Sequence, residues 1–220
     1  MEYKYINEIQ HDKRFGIIMP IHFDSLKSIS VKDFPTEEII GEVNHFLFQN
    51  GSPDYIWLRI PNDQYIFHGL KFLINLIKKA HPNQKIGTYV NCSILCNKLA
   101  QKGLLECDFI AVNINSIEPS NFGRVNPCCV DLSLEELLDG MARFKRTYKG
   151  HLGIYIMFFR GINDNVDNLK SLKNFLFDIK PDYISIGNYI GKGFEPISEG
   201  FKRTLEKSFD KVPFDVIFIF

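Results

Sequence analysis

Short apolar runs rich in β-branched and aromatic residues alternate along this chain with longer segments of helical period, and that alternation restricts the fold more than any other feature. The runs are Phe15 to Phe23, Asp54 to Ile60, Lys85 to Val90, Phe109 to Asn115, Gly153 to Phe159, Tyr183 to Ile190 and Phe214 to Phe220. Most are continuously apolar rather than alternating, the pattern of strands covered on both faces. Strands of that kind joined through helices build repeated βα units with a parallel sheet, so the expected class is α/β.

Capping chemistry sets the helix edges. Thr36 precedes Glu37, Glu38, Ile39 and Ile40, where its hydroxyl would accept from an orphan amide. Ser133-Leu134-Glu135-Glu136 has the spacing of a capping box, and Leu134, Leu137, Leu138, Met141 and Phe144 return to one face. That helix is expected to reach Tyr148 and stop at Gly150. Further helices fit Gln64 to Ala80, Ser93 to Lys102, Val166 to Ile179 and Ser198 to Phe209, and His81-Pro82, Gly103 and Pro181 end the first three. No repeat, low-complexity stretch or Gly/Ser linker divides the chain, so residues 1–220 are expected to form a single domain. The longest connection without a pattern of its own runs from Asp24 to Pro35.

With 220 residues, 45% of them hydrophobic, the chain can bury a core without disulfides or metals. Its 26 basic and 26 acidic residues cancel and form no block of one sign, which argues against nucleic acid or an anionic membrane as a partner chosen by bulk charge. Met1-Glu2-Tyr3-Lys4-Tyr5 does not open a leader-like apolar stretch, and no run of about 18 apolar residues exists to span a bilayer, so a cytoplasmic location is expected. The five cysteines are an odd set without the even spacing of a disulfide framework, and reduced thiols are expected.

Phe159-Arg160-Gly161-Ile162-Asn163-Asp164 follows an apolar run and precedes a helix, as the Gly-Ile-Asn-Asp turn does in radical S-adenosylmethionine (radical SAM) enzymes. The order of other segments extends the resemblance: Asp54 to Leu58 resembles that superfamily's second strand, Tyr89-Val90-Asn91 its third-strand end, and Val112 to Ser116 its fourth. Glu118, Phe122, Arg124, Val125, Asn126 and Pro127 are spaced similarly to its E-x-F-x-x-I-N-R-P loop, and Lys149-Gly150 and Pro181-Asp182-Tyr183 follow in place. The likeness covers Thr36 to Glu195 and is nearest the iron-sulfur oxidoreductase branch with tRNA-wyosine and activating-enzyme relatives. It implies a partial (β/α)6 TIM-like barrel of parallel strands, with function at the strand C-terminal ends. There the resemblance puts Asn91, Asn113, Asn115, Arg160 and Asn188 in the cofactor-facing positions.

The chain departs from the superfamily where its cofactors bind. Radical SAM enzymes hold a 4Fe-4S cluster through C-x-x-x-C-x-x-C in the loop after the first strand, whereas Phe23 to Val31 contains no cysteine. The turn that holds the methionine amino group reads Arg59-Ile60-Pro61-Asn62-Asp63-Gln64, without glycine, and Cys92 stands for the third-strand glycine. The expected function is therefore that of a non-catalytic binding or partner subunit, with no cofactor and with another protein subunit or a small polar ligand bound at the barrel mouth. The alternative is an active enzyme with a non-standard iron-sulfur or metal site from Cys92, Cys96, Cys128 and Cys129, still using S-adenosylmethionine. Against it, these cysteines lack C-x-x-C spacing and are readily explained as small buried residues. Cys107, at the start of a strand, belongs at the opposite end. A third possibility is unrelated chemistry on a small polar substrate through Arg160, Asn163, Asp164 and Asn188.

Other constellations carry less. The six histidines show no H-E-x-x-H pattern, and no G-x-S-x-G elbow is present. Gly187 to Gly193 lacks the phosphate-loop spacing and reads as a flexible loop. Arg59, Arg160 and Lys192 fall at strand ends where an anion would sit, although isolated cations there are commonly solvated. The very apolar last strand must pair with the sheet edge or with a second copy in a homodimer.

Overall fold

A computed structural model describes residues 3–23, 34–60, 67–129, 131–191 and 193–220. Contacts group the chain into two compact units, residues 1–90 with 97–110, and residues 91–96 with 111–220. The strands are hydrogen-bonded in the order in which the chain lays them down, and the registered pairs are parallel except at the first strand.

The first unit contains β1 (Gln10–Asp12), β2 (Gly16–His22), α1 (Thr36–Asn50), β3 (Tyr55–Arg59), α2 (Phe67–Ala80), β4 (Lys85–Asn91) up to Val90, α3 (Lys98–Leu104) and the start of β5 (Phe109–Asn113). β2 runs parallel to β3 with Ile18 opposite Tyr55 and His22 opposite Arg59, and β3 runs parallel to β4 from Tyr55 opposite Lys85. β1 is absent from the sequence reading. It is three polar, exposed residues with no hydrophobic period, and it pairs antiparallel to β2 because Asp12 closes the turn. Asp12 Oδ1 accepts from the amides of Arg14 (2.7 Å) and Phe15 (2.9 Å), and Gly16 takes a positive φ of 70°. A side chain on Gly16 would strike the Asp54 carboxylate, which accepts the Ile17 amide at 2.7 Å. Phe15 then packs on Phe109 and Trp57, with ring centroids 4.6 and 5.0 Å away.

Two helix expectations in this stretch need correction. Thr36 does not cap α1: it is the first helical residue, Pro35 occupies the cap position, and Thr36 Oγ1 faces Phe34 O instead. Ser93 to Lys102 is not one helix. Cys92–Cys96 winds as a 3-10 helix, and α3 begins after Asn97, whose Oδ1 accepts from the amides of Leu99 (2.8 Å) and Ala100 (3.1 Å). An asparagine offers the backbone that alternative, so an N-cap forms where a helix interior was expected.

The second unit holds the 3-10 helix Cys92–Cys96, the remainder of β5, α4 (Phe122–Val125), a 3-10 turn Pro127–Cys129, α5 (Leu134–Thr147), β6 (His151–Phe158), α6 (Val166–Ile179), β7 (Tyr183–Asn188), α7 (Glu199–Ser208) and β8 (Asp215–Ile219). β6, β7 and β8 are parallel, with Phe158 opposite Asn188 and Gly187 opposite Ile219. All six residues of β7 are buried, as its apolar run required. β8 pairs with β7, one of the two outcomes expected for the last strand.

The capping box on α5 forms as expected: Ser133 Oγ accepts the Glu136 amide at 3.1 Å, and Glu136 Oε2 accepts the Ser133 amide at 2.8 Å. The helix ends at Thr147, ahead of Gly150, because Tyr148 turns extended and stacks on Phe144 at 4.9 Å. α6 starts at an Asn165 cap and closes through Lys180 in the left-handed region, just before Pro181. No helix among the described residues is long and apolar enough to cross a membrane.

Candidate functional site

The five expected strand-end residues lie in the second unit, and their side chains are unequally committed. Asn113 and Asn115, at and just beyond the end of β5, bond each other, Asn113 Nδ2 donating to Asn115 Oδ1 at 3.0 Å and Asn115 Nδ2 returning to Asn113 Oδ1 at 3.3 Å. Asn113 Nδ2 also reaches Tyr155 O at 3.2 Å, while Asn115 Nδ2 donates to Val125 O at 2.7 Å and Asn115 Oδ1 accepts the Met157 amide at 2.9 Å. These amides are thus occupied in joining β5 to β6 and to the following loop. Arg160 pairs with Glu195 and is exposed, so its charge is already answered. Asn91, at the end of β4, accepts a hydrogen bond from Ser93 Oγ through its Oδ1.

Asn188 differs. It ends β7, is 7% exposed, and its Oδ1 is buried with no hydrogen-bond donor among the described residues. A buried acceptor left bare costs about 1–3 kcal/mol, and such groups call for a physical explanation.

The Gly-Ile-Asn-Asp turn explains itself in the same terms. Gly161 sits at φ 73°, its amide donates to Asp164 Oδ1 at 2.6 Å, and fully buried Asn163 holds three backbone groups at once. Asn163 Oδ1 accepts the Phe159 amide (2.6 Å), and its Nδ2 donates to Asn115 O (2.7 Å) and Met157 O (3.0 Å). Asn126, Asn168 and Ser116 extend this lattice, Asn126 Oδ1 taking the Asn115 amide at 2.8 Å and Ser116 Oγ donating to Asn168 Oδ1 at 2.6 Å. The third possibility read from the sequence assigned Asn163 and Asp164 to a substrate; in the fold both serve the turn.

Cys92, Cys128 and Cys129 converge. Their sulfurs all lie within 4.8 Å of one another, with Cys92 Sγ to Cys129 Sγ at 3.2 Å and Cys128 Sγ to Cys129 Sγ at 3.6 Å. The two 3-10 segments that follow β4 and lead away from β5 carry them there. Cys96, grouped with them only in the alternative reading, does not join them: its Sγ faces Glu136 O at 3.5 Å, because a 3-10 helix does not stack residues four apart on one side. Cys107 is buried just ahead of β5, and burial pushes its thiol up.

Mutual contact and burial move the three thiols apart in acidity. Cys128 is held below the usual thiol range by its neighbours Cys129 and Cys92 and, against the cost of burial, by Ser93. Cys129 is pushed up to about 12, and Cys92 also upward, chiefly by Cys128 beside them and by burial. The lowered thiol is the more open member of the set, as the cost of burying a charge favours.

Of the segments to which the resemblance assigned the cluster (Phe23 to Val31) and the methionine (Arg59 to Gln64), residues 24–31 and 61–64 lie outside the described residues, as does Lys192. No cysteine occurs in 24–33, so that loop lacks the donors a cluster needs. Nor do the converged thiols suit a cubane, whose cysteines sit on different irons and splay outward around it, farther apart than thiolates on one ion.

The chain is an α/β protein of the partial-barrel type found in radical SAM enzymes. It superposes on a radical SAM methyltransferase from Sphaerobacter thermophilus with a TM-score of 0.64, at 9% identity, over 96% of this chain and 68% of that one. A domain of pyruvate-formate lyase-activating enzyme from Bacteroides vulgatus gives 0.57, at 15% identity, over 74% and 98%, and Streptococcus suis SuiB gives 0.58, at 13%, over 87% and 43%. At these identities the likeness is one of fold. In sequence the chain is 27% identical over 145 residues to a UPF0026 protein of Helicobacter pylori, covering 65% of this chain and 46% of that protein. It is 22% identical over 163 residues to a UPF0026 protein of Methanocaldococcus jannaschii (74% and 47%), and 22% over 163 residues to a protein named GTPase Obg of Brachyspira hyodysenteriae (74% and 24%). The chain thus spans less than half the length of these curated relatives, and no protein-family model matches it.

Proposed function

We propose that this chain is a radical-SAM-type barrel domain that binds a small polar ligand at the ends of its strands and does so without an iron-sulfur cluster. The observation that carries this reading is Asn188: a carbonyl oxygen buried at the C-terminal end of β7 with no donor among the described residues supports a ligand N–H or O–H as its partner. The absence of cysteine from residues 24–33 supports a domain without radical chemistry and fits the binding subunit of a larger assembly. Native mass spectrometry of the gently purified chain is expected to show a small adduct that Asn188→Ala loses. Anaerobic reconstitution with iron and sulfide is expected to give no absorbance near 400 nm, and titration with S-adenosylmethionine no heat. About four irons per chain, together with S-adenosylmethionine binding, would overturn the reading in favour of an active enzyme with a non-standard cluster.

A further inference from the structure

We propose that Cys92, Cys128 and Cys129 form a mononuclear binding site for a thiophilic metal ion of the Zn2+ or Cu+ kind. The separations select one ion. With metal–sulfur bonds of about 2.3 Å, tetrahedral thiolates lie about 3.8 Å apart and trigonal ones about 4.0 Å apart. The measured 3.2 and 3.6 Å, with all three sulfurs inside 4.8 Å, need only small shifts to reach those values. Three uncharged thiols have no comparable reason to converge, since a sulfhydryl is a weak donor and a weak acceptor.

The scaffold holds the set from several sides. Cys92 begins a 3-10 helix fixed against α5, where Gly140 leaves no room for a side chain: a Cβ there would lie 2.9 Å from Leu95 O and 3.1 Å from Cys96 Sγ. Cys128 and Cys129 sit in a turn whose Cys129 amide donates to Asn126 O at 2.9 Å, and Asn126 is itself anchored by donating to Ser116 O at 2.7 Å and Phe122 O at 2.9 Å. Binding the ion replaces the S–H bonds of the coordinating thiols with metal–sulfur bonds and releases their protons to solvent; no electron is transferred.

Cd2+ and Zn2+ are the probes. The full chain, purified under reducing conditions and stripped with a chelator, is expected to take up one Cd2+ with a thiolate-to-metal charge-transfer band in the ultraviolet, displaced by Zn2+ in competition. Cys128→Ser, at the half-buried position, is expected to weaken uptake by at least about 100-fold while circular dichroism stays native, whereas Cys107→Ser and Cys96→Ser retain it. Absence of the band in the unaltered chain overturns the site without any variant, as does a Cys92–Cys129 disulfide forming in place of metal uptake. Equal Cd2+ affinity in Cys128→Ser overturns it too. These measurements use neither iron nor S-adenosylmethionine, so they can fail independently of the ligand reading above.

Discussion

Asn163 shows how much a single polar side chain holds here. It is fully buried, with one acceptor and two donor contacts to backbone groups of its own turn, of β6 and of the chain after β5. Asn163→Ala strands all three, and at about 1–3 kcal/mol for each bare group, partly relieved by relaxation, it is expected to cost about 3 kcal/mol. The measurement is urea unfolding, with a lower midpoint and an unchanged slope. Asn163 was legible in the sequence as part of a familiar turn, but its role was not: an asparagine at a strand end reads equally well as a ligand contact and as a backbone brace. Asn113 and Asn115 share that ambiguity, and only their mutual hydrogen bonds resolve it.

Between elements, a few contacts determine how a helix meets its neighbour. Asp182, in the turn before β7, accepts the Leu152 amide at 2.9 Å, and His151 and Lys145 lie close to it. Burial pushes its carboxyl up, but those three partners outweigh burial and hold it below its ordinary value of 3.8. A carboxylate depressed on folding contributes stability that is present above the unfolded value and is lost as the pH falls through the folded one. Asp182→Asn is therefore expected to be less stable than the unaltered chain at pH 7, with the gap closing below about pH 4, as chemical denaturation across that range would register. Gly140 sets a second junction. Alanine is favoured over glycine inside a helix by about 1 kcal/mol, yet its Cβ would meet backbone that cannot swing away. Gly140→Ala is expected to lower the melting temperature and weaken Cd2+ uptake together, because the Cys92–Cys96 segment must move; a more stable protein with full uptake would contradict that.

For the molecule as a whole, the last strand matters most to behaviour in solution. β8 pairs with β7 and, among the described residues, with no other strand, and it exposes Ile219 at 52% together with Ile217 and Phe220. An apolar strand open along one edge recruits other chains. The 220-residue chain is expected to self-associate with rising concentration in sedimentation velocity, and Ile219→Lys to shift it toward monomer. The strand was visible in the sequence as an apolar run, as were β2 to β7, α5, α6 and α7, because hydrophobic period and capping chemistry are local properties. β1 escaped because three polar residues carry no period, and the break at Asn97 because an asparagine does not announce which way its side chain will bond. The alternation of strand and helix was enough to dictate a parallel α/β fold, and the missing cysteines in 24–33 were plain from the letters alone. That Cys92 meets residues thirty-six and thirty-seven positions later, while Cys96 turns away, depended on two 3-10 segments packing side by side. Proximity between distant residues is a property of the folded chain, and no local pattern encodes it.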